Sequence, residues 1–406
     1  MHTESAIDVE WAAFTRCIGS DEFLEKSAAE FGALRRRRAI RDAPTLLRLA
    51  MLYAFCGNSL RQTAAYSGIS GIAELSNVAV LKRVRACCEW VGFLLASKLA
   101  ERSATRLPRN DLNIRIVDAT TVNRPGTHGT DFRIHVGMNL RRFLIDHIEI
   151  TDSSGGESFS RFEFSERDLV IADRGYPHPK PLAAIAQAGA FFLVRVNWQN
   201  IPLEAADGSK FDILAALRSL ADTEVGDFDV VLKASNRRVN CRLIGIRKSE
   251  SAAAEGRKKA LAENGKKSRA VDVRTLESAG YTYVLTNLDR SSLASSEALD
   301  LYRFRWQIEM TFKRLKSVLD LGKLPARDPR LARTYLLLRL LAAIVIEDLS
   351  ERYLAFFPWG YPIRGAEDLA LEALPDLSGR PSGHGPRADE NLPSRRGDRR
   401  PRQKTH

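Results

Sequence analysis

Residues 302–316, YRFRWQIEMTFKRLK, gather side chains suited to phosphate chemistry. Continued as one helix at about 100° per residue, Arg305, Trp306, Glu309, Lys313 and Lys316 all fall within about 60° of Tyr302 on the helical wheel. A phenol, a guanidinium, an indole, a carboxylate and two ammonium groups would then share one ridge. Beside them Phe304, Ile308, Phe312, Leu315 and Leu319 form an apolar stripe. One face would dock on a core and hold the ridge at its rim. Taken alone, the ridge has an ordinary alternative, a solvated ladder of i,i+4 ion pairs. Two carboxylates upstream favour the chemical one.

Residues 113–122, NIRIVDATTV, alternate with period two, which places Ile114, Ile116 and Asp118 on one face of a strand. Residues 168–176, DLVIADRGY, do the same for Leu169, Ile171 and Asp173. An Asp at a strand end is commonly a turn-former or a helix cap. Here both lie in phase with the buried face, where an ionised carboxylate without a partner is costly. A divalent cation would supply the partner. Hard oxygen donors without a neighbouring histidine or thiolate select Mg²⁺ or Mn²⁺ over zinc.

The elements that must position these groups follow from pattern. Residues 132–140 and 143–150 are two further β-rich runs joined at Arg141-Arg142, so three sequential strands form an antiparallel meander. After 168–176 come a helix over 180–188 and a strand over 191–196. Meander, strand, helix, strand is an α/β order compatible with a ribonuclease-H-like sheet. Residues 200–271 interrupt it with a β-rich insertion containing strands at 228–232 and 239–246. A basic stretch follows (Lys258, Lys259, Lys266, Lys267, Arg269), either a phosphate-contacting loop or a solvated segment. The core resumes with a strand at 281–288. The predicted organisation is therefore a helical N-terminal domain over 1–105, a core over 106–199 and 272–350, the insertion over 200–271, a helical segment over 351–377, and a disordered basic tail over 378–406.

Within the N-terminal domain, residues 60–66 predict a short helix and Ser67, Gly68 and Gly71 a turn. Ser76 then caps a second helix carrying Lys82, Arg83 and Arg85. Helix, glycine turn and basic helix is the pattern of a helix-turn-helix, whose second helix reads DNA, although helical bundles also contain such corners.

Composition bounds the function. Of 406 residues, 62 are Lys or Arg and 50 Asp or Glu, a net charge of +12 that favours a polyanionic partner, nucleic acid first. No apolar leader precedes the first helix, and the longest apolar stretch, 336–346, is interrupted by Arg339 and too short to span a bilayer. A cytoplasmic protein without a membrane is expected. Five cysteines without C-x-x-C spacing argue for a reducing compartment and against a zinc site or disulfide framework.

The spacing Tyr302-x₂-Arg305-x₃-Glu309-x₆-Lys316, the block DRGY at 173–176 and VDATTV around Asp118 resemble the bacterial insertion-sequence transposases of the IS-four family, DDE enzymes with a Tyr–Arg–Glu–Lys signature. The loop GGESF before DRGY resembles the same pattern. The likeness covers about residues 55–350 and departs at none of the three acidic positions. It implies a ribonuclease-H-like core in which Asp118, Asp173 and Glu309 hold two Mg²⁺ ions, with Mn²⁺ as substitute. It also implies cleavage and strand transfer of double-stranded DNA at terminal inverted repeats and target, through a hairpin intermediate, by a synaptic homodimer at the bacterial nucleoid. By the same likeness Tyr302, Arg305 and Lys316 grip phosphates, and Trp198 or Trp306 stacks a flipped base; Lys313 and Trp306 join the DNA-contacting set from the wheel alone. A non-catalytic DNA-binding relative and a ribonuclease-H-like nuclease without strand transfer are the competing functions.

Overall fold

The computed structural model describes residues 6–57, 59–103, 112–127, 129–265, 271–318, 320–321 and 324–354. The expectations for 355–377, the basic segment 378–406, Lys266, Lys267, Arg269 and Leu319 lie outside these residues.

Six helices come first: α1 (Ala6–Ile18), α2 (Asp21–Glu30), α3 (Ala43–Phe55), α4 (Leu60–Ile69), α5 (Asn77–Ala86) and α6 (Cys88–Ser103). Their starts are set by side-chain caps. Ser20, Asp42, Ser59 and Ser76 each accept a hydrogen bond from a backbone N–H of the first turn. Ser59 and Gln62 complete a capping box on α4. Gly71, at φ 65°, makes the turn out of α4, where a side chain would be strained. The helix, glycine turn and capped basic helix anticipated over 60–86 are all present.

The sheet begins with the predicted meander: β1 (Asn113–Val122) pairs antiparallel with β2 (Phe132–Asn139), and β2 with β3 (Leu144–Asp152). The chain then passes to the other side of β1. There β4 (Asp168–Ala172) lies parallel to β1, and after α7 (Pro179–Gln187), β5 (Phe191–Arg195) lies parallel to β4. Next come β6 (Leu203–Glu204), α8 (Ile213–Arg218), β7 (Val225–Ala234), β8 (Arg237–Arg247), α9 (Glu250–Gly265), α10 (Val273–Ser278) and β9 (Tyr281–Thr286). The strands of 200–271 do not make a sheet of their own. The nine strands of the described residues form one sheet, β3-β2-β1-β4-β5-β9-β8-β7-β6, in which β9 joins β5 to the β7–β8 hairpin.

Three helices close the described chain: α11 (Ser295–Arg303), α12 (Trp306–Val318) and α13 (Pro329–Leu354). The continuous helix expected over 302–316 is two helices. Phe304 N–H donates to Leu301 O (3.1 Å), Arg305 N–H to Tyr302 O (3.1 Å) and Gln307 N–H to Phe304 O (2.9 Å), a tightened i→i+3 turn between α11 and α12. Such a turn advances about 120° per residue rather than about 100°. Tyr302 therefore leaves the ridge: it is buried, whereas Glu309 and Trp306 stay exposed. The apolar stripe behaves as expected where it is described, with Ile308, Phe312 and Leu315 in the core and Phe304 packed against it.

The two sheet faces carry different cores. Ile114, Ile116, Leu169 and Ile171 share one cluster with α12, α13 and the N-terminal helices. Val117, Val170 and Ala172 share the other with Leu182 and Ile185 of α7 and Leu214 and Leu217 of α8. Residues 336–345 are a buried part of α13, with Ile346 exposed at the end of the run, and among the described residues no helix is long and apolar enough to cross a membrane. Arg339, which interrupts that run, donates from Nε to Ala54 O at 2.9 Å and lies over the Tyr335 ring. Cys87 and Cys241 are buried thiols whose pKa is pushed up to about 12 by burial, as inert core residues require.

One core polar group makes the fold acid-sensitive. His135 on β2 is fully buried with Nε2 3.1 Å from Thr151 Oγ1. Burial, then the Arg161 charge, holds its imidazole down at about 4. Its ordinary value in an unfolded chain is about 6.5. Below that pH the unfolded chain takes up a proton the folded one refuses, so stability is full above about 6.5 and declines as pH falls toward 4. The loss is about 2 kcal/mol by pH 5. Urea unfolding of His135→Asn at pH 7.5 and pH 5 should show a smaller difference than the parent; an equal difference would remove His135 as the cause.

Candidate active site

The register of β1 and β4 brings the first two carboxylates together. Ile116 lies opposite Ile171, and the same register carried two residues on sets Asp118 beside Asp173, about 4.8 Å apart strand to strand. Both continue the face of Ile114, Ile116, Leu169 and Ile171, the face that α12 covers. Asp118 is largely buried, with its side chain 19% exposed. It accepts from Ala119 N–H at 2.8 Å, and Asp173 accepts from Arg174 N–H at 2.6 Å. Burial pushes the Asp118 carboxyl up to about 6, helped by the charges of Glu157 and Asp173; the Ala119 N–H and Arg305 pull the other way.

Glu309 reaches this pair through Arg305. The guanidinium Nη2 donates to Glu309 Oε1 at 2.5 Å, while Nη1 lies 3.6 Å from Asp118 Oδ2. One arginine thus bridges the sheet carboxylate and the helix carboxylate. Tyr302 stands beside it with a buried hydroxyl, and burial, then the charge of Asp173, pushes its phenol upward. Lys316 is half-buried on α12 and Lys313 is exposed one turn before.

A cleft of about 470 Å³ opens next to the bridge, lined by Arg195, Tyr302, Arg303, Arg305 and Trp306 among others. Trp306 presents an open indole there, 49% exposed. Trp198 does not offer a free ring face in the same way, because the Arg274 guanidinium lies 4.4 Å from its ring centre.

Two features go beyond the individual residues that the sequence singles out. The first is a row of cations. Strands β1, β4, β5 and β8 run in one direction, so their C-terminal ends share an edge of the sheet. From the Asp118–Asp173 pair outward, that edge carries Arg174, Arg195 and Lys248. Burial, then Arg195, Arg174 and Lys259, holds the Lys248 ammonium down at about 8, even though Nζ donates to Ala279 O at 2.9 Å. The second is Glu157, in the GGESF loop, which lies against Gly175 of DRGY. The spacing of single cations at successive strand ends has no local period. No sequence signal marks it before the strand order is known.

The three basic residues of α5 have different surroundings. Lys82 is exposed. Arg83 donates from Nη2 to Arg36 O at 2.7 Å, and Arg85 pairs with Asp328 at 3.5 Å, so both engage the protein itself.

Among the described residues no three His, Cys, Asp or Glu side chains stand close enough to hold a metal ion as they are arranged. The donor set nevertheless fits a hard cation: Asp118, Asp173 and Glu309 offer carboxylate oxygens, and the first two crowd like charges at adjacent strand ends. The Arg305 cation occupies the position between Asp118 and Glu309.

Residues 109–345, which contain all three carboxylates, match the family model of the transposase DDE domain. The chain belongs to the DDE transposases of insertion sequences. It is 37% identical to the transposase of element IS421 of Escherichia coli over 355 residues, 86% of this chain and 96% of that protein. The protein InsL of element IS186A of Escherichia coli strain K12 is 37% identical over 354 residues, again 86% of this chain and 96% of the relative. A more distant relative is the transposase of element IS231F of Bacillus thuringiensis subsp. israelensis, 22% identical over 350 residues, 74% of this chain and 71% of that protein. A DDE domain implies the use of a divalent metal ion, consistent with the all-carboxylate donors of this transposase.

Proposed function

We propose that this transposase binds the terminal inverted repeats of its insertion sequence and moves the element by metal-dependent cut-and-paste, cleaving and joining strands through a hairpin intermediate. The observation that carries the proposal is the lateral adjacency of Asp118 and Asp173 on parallel strands, beneath the helix that carries Glu309. The strand order β3-β2-β1-β4-β5, with β4 and β5 parallel to β1, supports a ribonuclease-H-like core.

Asp118, Asp173 and Glu309 would hold two Mg²⁺ ions, for which Mn²⁺ substitutes. When bound there, the ions activate the attacking water or 3′-hydroxyl and stabilise the departing oxyanion. Arg305 sits where it can exchange the two carboxylates for a phosphate, which its planar fork grips bidentately. Lys316 adds a point charge on the same helix. Tyr302, buried against Arg305, orients that guanidinium and presents its hydroxyl once Arg305 moves. Trp306, open at the cleft, is better placed than Trp198 to stack an extruded base. Lys313 and the cations Arg174, Arg195 and Lys248 extend the phosphate path along the sheet edge. At the other end of the chain, Lys82 and the exposed surface of α4 and α5 would contact the repeat, with Arg83 and Arg85 supporting that helix. Two ends must be cut together, so the working form is a homodimer on DNA.

The direct test is cleavage of a labelled duplex carrying the element's own end, with Mg²⁺, with Ca²⁺ and with the Glu309→Gln protein. Mg²⁺-dependent nicking at the end, lost in the variant, is expected. Binding without cleavage would favour the non-catalytic relative, and cleavage indifferent to the inverted repeat would favour a nuclease. Lys316→Ala should weaken binding to the end duplex and reduce the slope of log K against log salt by about 0.9, one phosphate contact. An unchanged slope over a salt titration would remove Lys316 from the DNA path.

A further inference from the structure

We propose that the run Arg35–Arg38, between α2 and α3, is a second DNA-contacting element that grips backbone phosphates along the flank of α5. The inference rests on the reading above that α5 faces the repeat. The run is tied down on both sides. After α2, Gly32 turns the chain at φ 66°, and the N–H groups of Ala33 (2.9 Å) and Leu34 (3.3 Å) both donate to Ala28 O. Ala33 and Leu34 before the run and Ile40 after it are buried in the core that holds Leu46 of α3 and Trp90 of α6. Between these anchors all four arginines are exposed. Arg37 fixes the shape of the run. Its Nη1 donates to Arg41 O at 3.0 Å and its Nη2 to Glu25 Oε2 at 2.6 Å, while Glu25 Oε1 accepts from Ala43 N–H at 2.7 Å. Arg35 folds back over Gly32, where a Cβ would stand 2.9 Å from its Nε. That leaves Arg36 and Arg38, which have no ion-pair partner among the described residues. They are the two cations assigned to phosphate, presented on a segment whose backbone is already ordered.

Arg83 places the run beside the helix. Its Nη2 donates to Arg36 O at 2.7 Å, which fastens the middle of the run to α5. That helix turns Asn77, Val78, Lys82 and Arg85 outward and buries Val80 and Val84. The outward set spans about 140° of the helical wheel, and Arg83 lies about 100° beyond Lys82, past the margin of that face. The run therefore stands to the side of the outward face and not across it. A helix seated in the major groove has a phosphate backbone along each flank, and the run stands where one of them passes. The surrounding charge suits a polyanion: residues 59–86 carry Arg61, Lys82, Arg83 and Arg85 against the single acid Glu74. Phosphate contacts fix register and orientation without reading sequence. Arg36 and Arg38 thus add affinity for any duplex, and base preference stays with the outward face of α5.

The test is binding of the full chain to a duplex carrying the element's own end, and to a shuffled duplex of equal length, by fluorescence anisotropy in Ca²⁺ over a salt series. The double variant Arg36→Ala/Arg38→Ala should reduce the slope of log K against log salt by about 1.8 on both duplexes, about 0.9 for each phosphate contact. The ratio of the two affinities should stay at the parent value. Arg36→Lys/Arg38→Lys should restore the parent slope, because counterion release counts charges; a slope still reduced there overturns the inference. A parent-like slope in the alanine pair, alongside a reduced slope in Lys82→Ala, overturns the inference and leaves α5 on the repeat. Parent-like slopes in both overturn the reading of α5 as well. Thermal unfolding checks the fold of each variant. Should the alanine pair fail to fold, Arg36→Gln/Arg38→Gln must show the same reduction, and a parent-like slope there overturns the inference.

Discussion

Glu309→Gln is expected to lower end cleavage by on the order of 10³-fold, the scale of removing one preorganised electrostatic group from an active site, while binding of the end duplex survives. The substitution keeps the length of the side chain and its position on α12 but removes the charge that pairs with Arg305. Asp118→Asn and Asp173→Asn should behave alike, since their positions at adjacent strand ends are set by β1–β4 pairing and not by their charge. Cleavage is read from the labelled strand on a denaturing gel, and binding from a gel shift in Ca²⁺. Cleavage within tenfold of the parent in any of the three would remove that residue from the site. Loss of binding together with cleavage would instead mean that the carboxylate mainly keeps Arg305 in place.

The second large effect is on stability. Arg102, at the end of α6, is buried and makes five hydrogen bonds: two to Asp348 (2.9 and 2.7 Å), and one each to Glu347 (2.8 Å), Ile145 O (2.7 Å) and Ile344 O (2.6 Å). It ties an N-terminal helix to α13 and to β3 at one point. Arg102→Ala leaves Glu347 without its charge partner and Asp348 with only Lys98, so a loss of about 3–5 kcal/mol is expected. Arg102→Lys should recover little, because an ammonium cannot reproduce the planar fork. Urea unfolding of the three proteins decides it. A loss below about 1 kcal/mol, the scale of an exposed pair, would show that the cluster is solvated in practice.

Much of the architecture was legible because it is local. Alternation placed β1 at its observed bounds, and it set the phase of Asp118 and Asp173 against their buried neighbours. Ser76 was recognisable as a cap because a hydroxyl before a basic helix satisfies a free N–H regardless of distant contacts. The break of the 302–316 helix at Phe304 and Arg305 is not legible in the sequence for the converse reason. No proline or glycine marks the tightened turn, and it is tertiary packing that draws Tyr302 inward. The strands of 200–271 were found, but not their place: a hairpin reads the same whether it stands alone or pairs at its edge with β9.

The sequence by itself determined the residue types of the site, the strand phase that aims two carboxylates at one face, and membership of the DDE transposases. Each is written in spacing along the chain. Only the tertiary structure decided that Asp118 and Asp173 are neighbours, that Arg305 bridges Asp118 to Glu309, and that Glu157 occupies the space left by Gly175. Those relations depend on which strands pair and in what register. Pairing is selected by burying both faces of a sheet at once, a condition no local period contains.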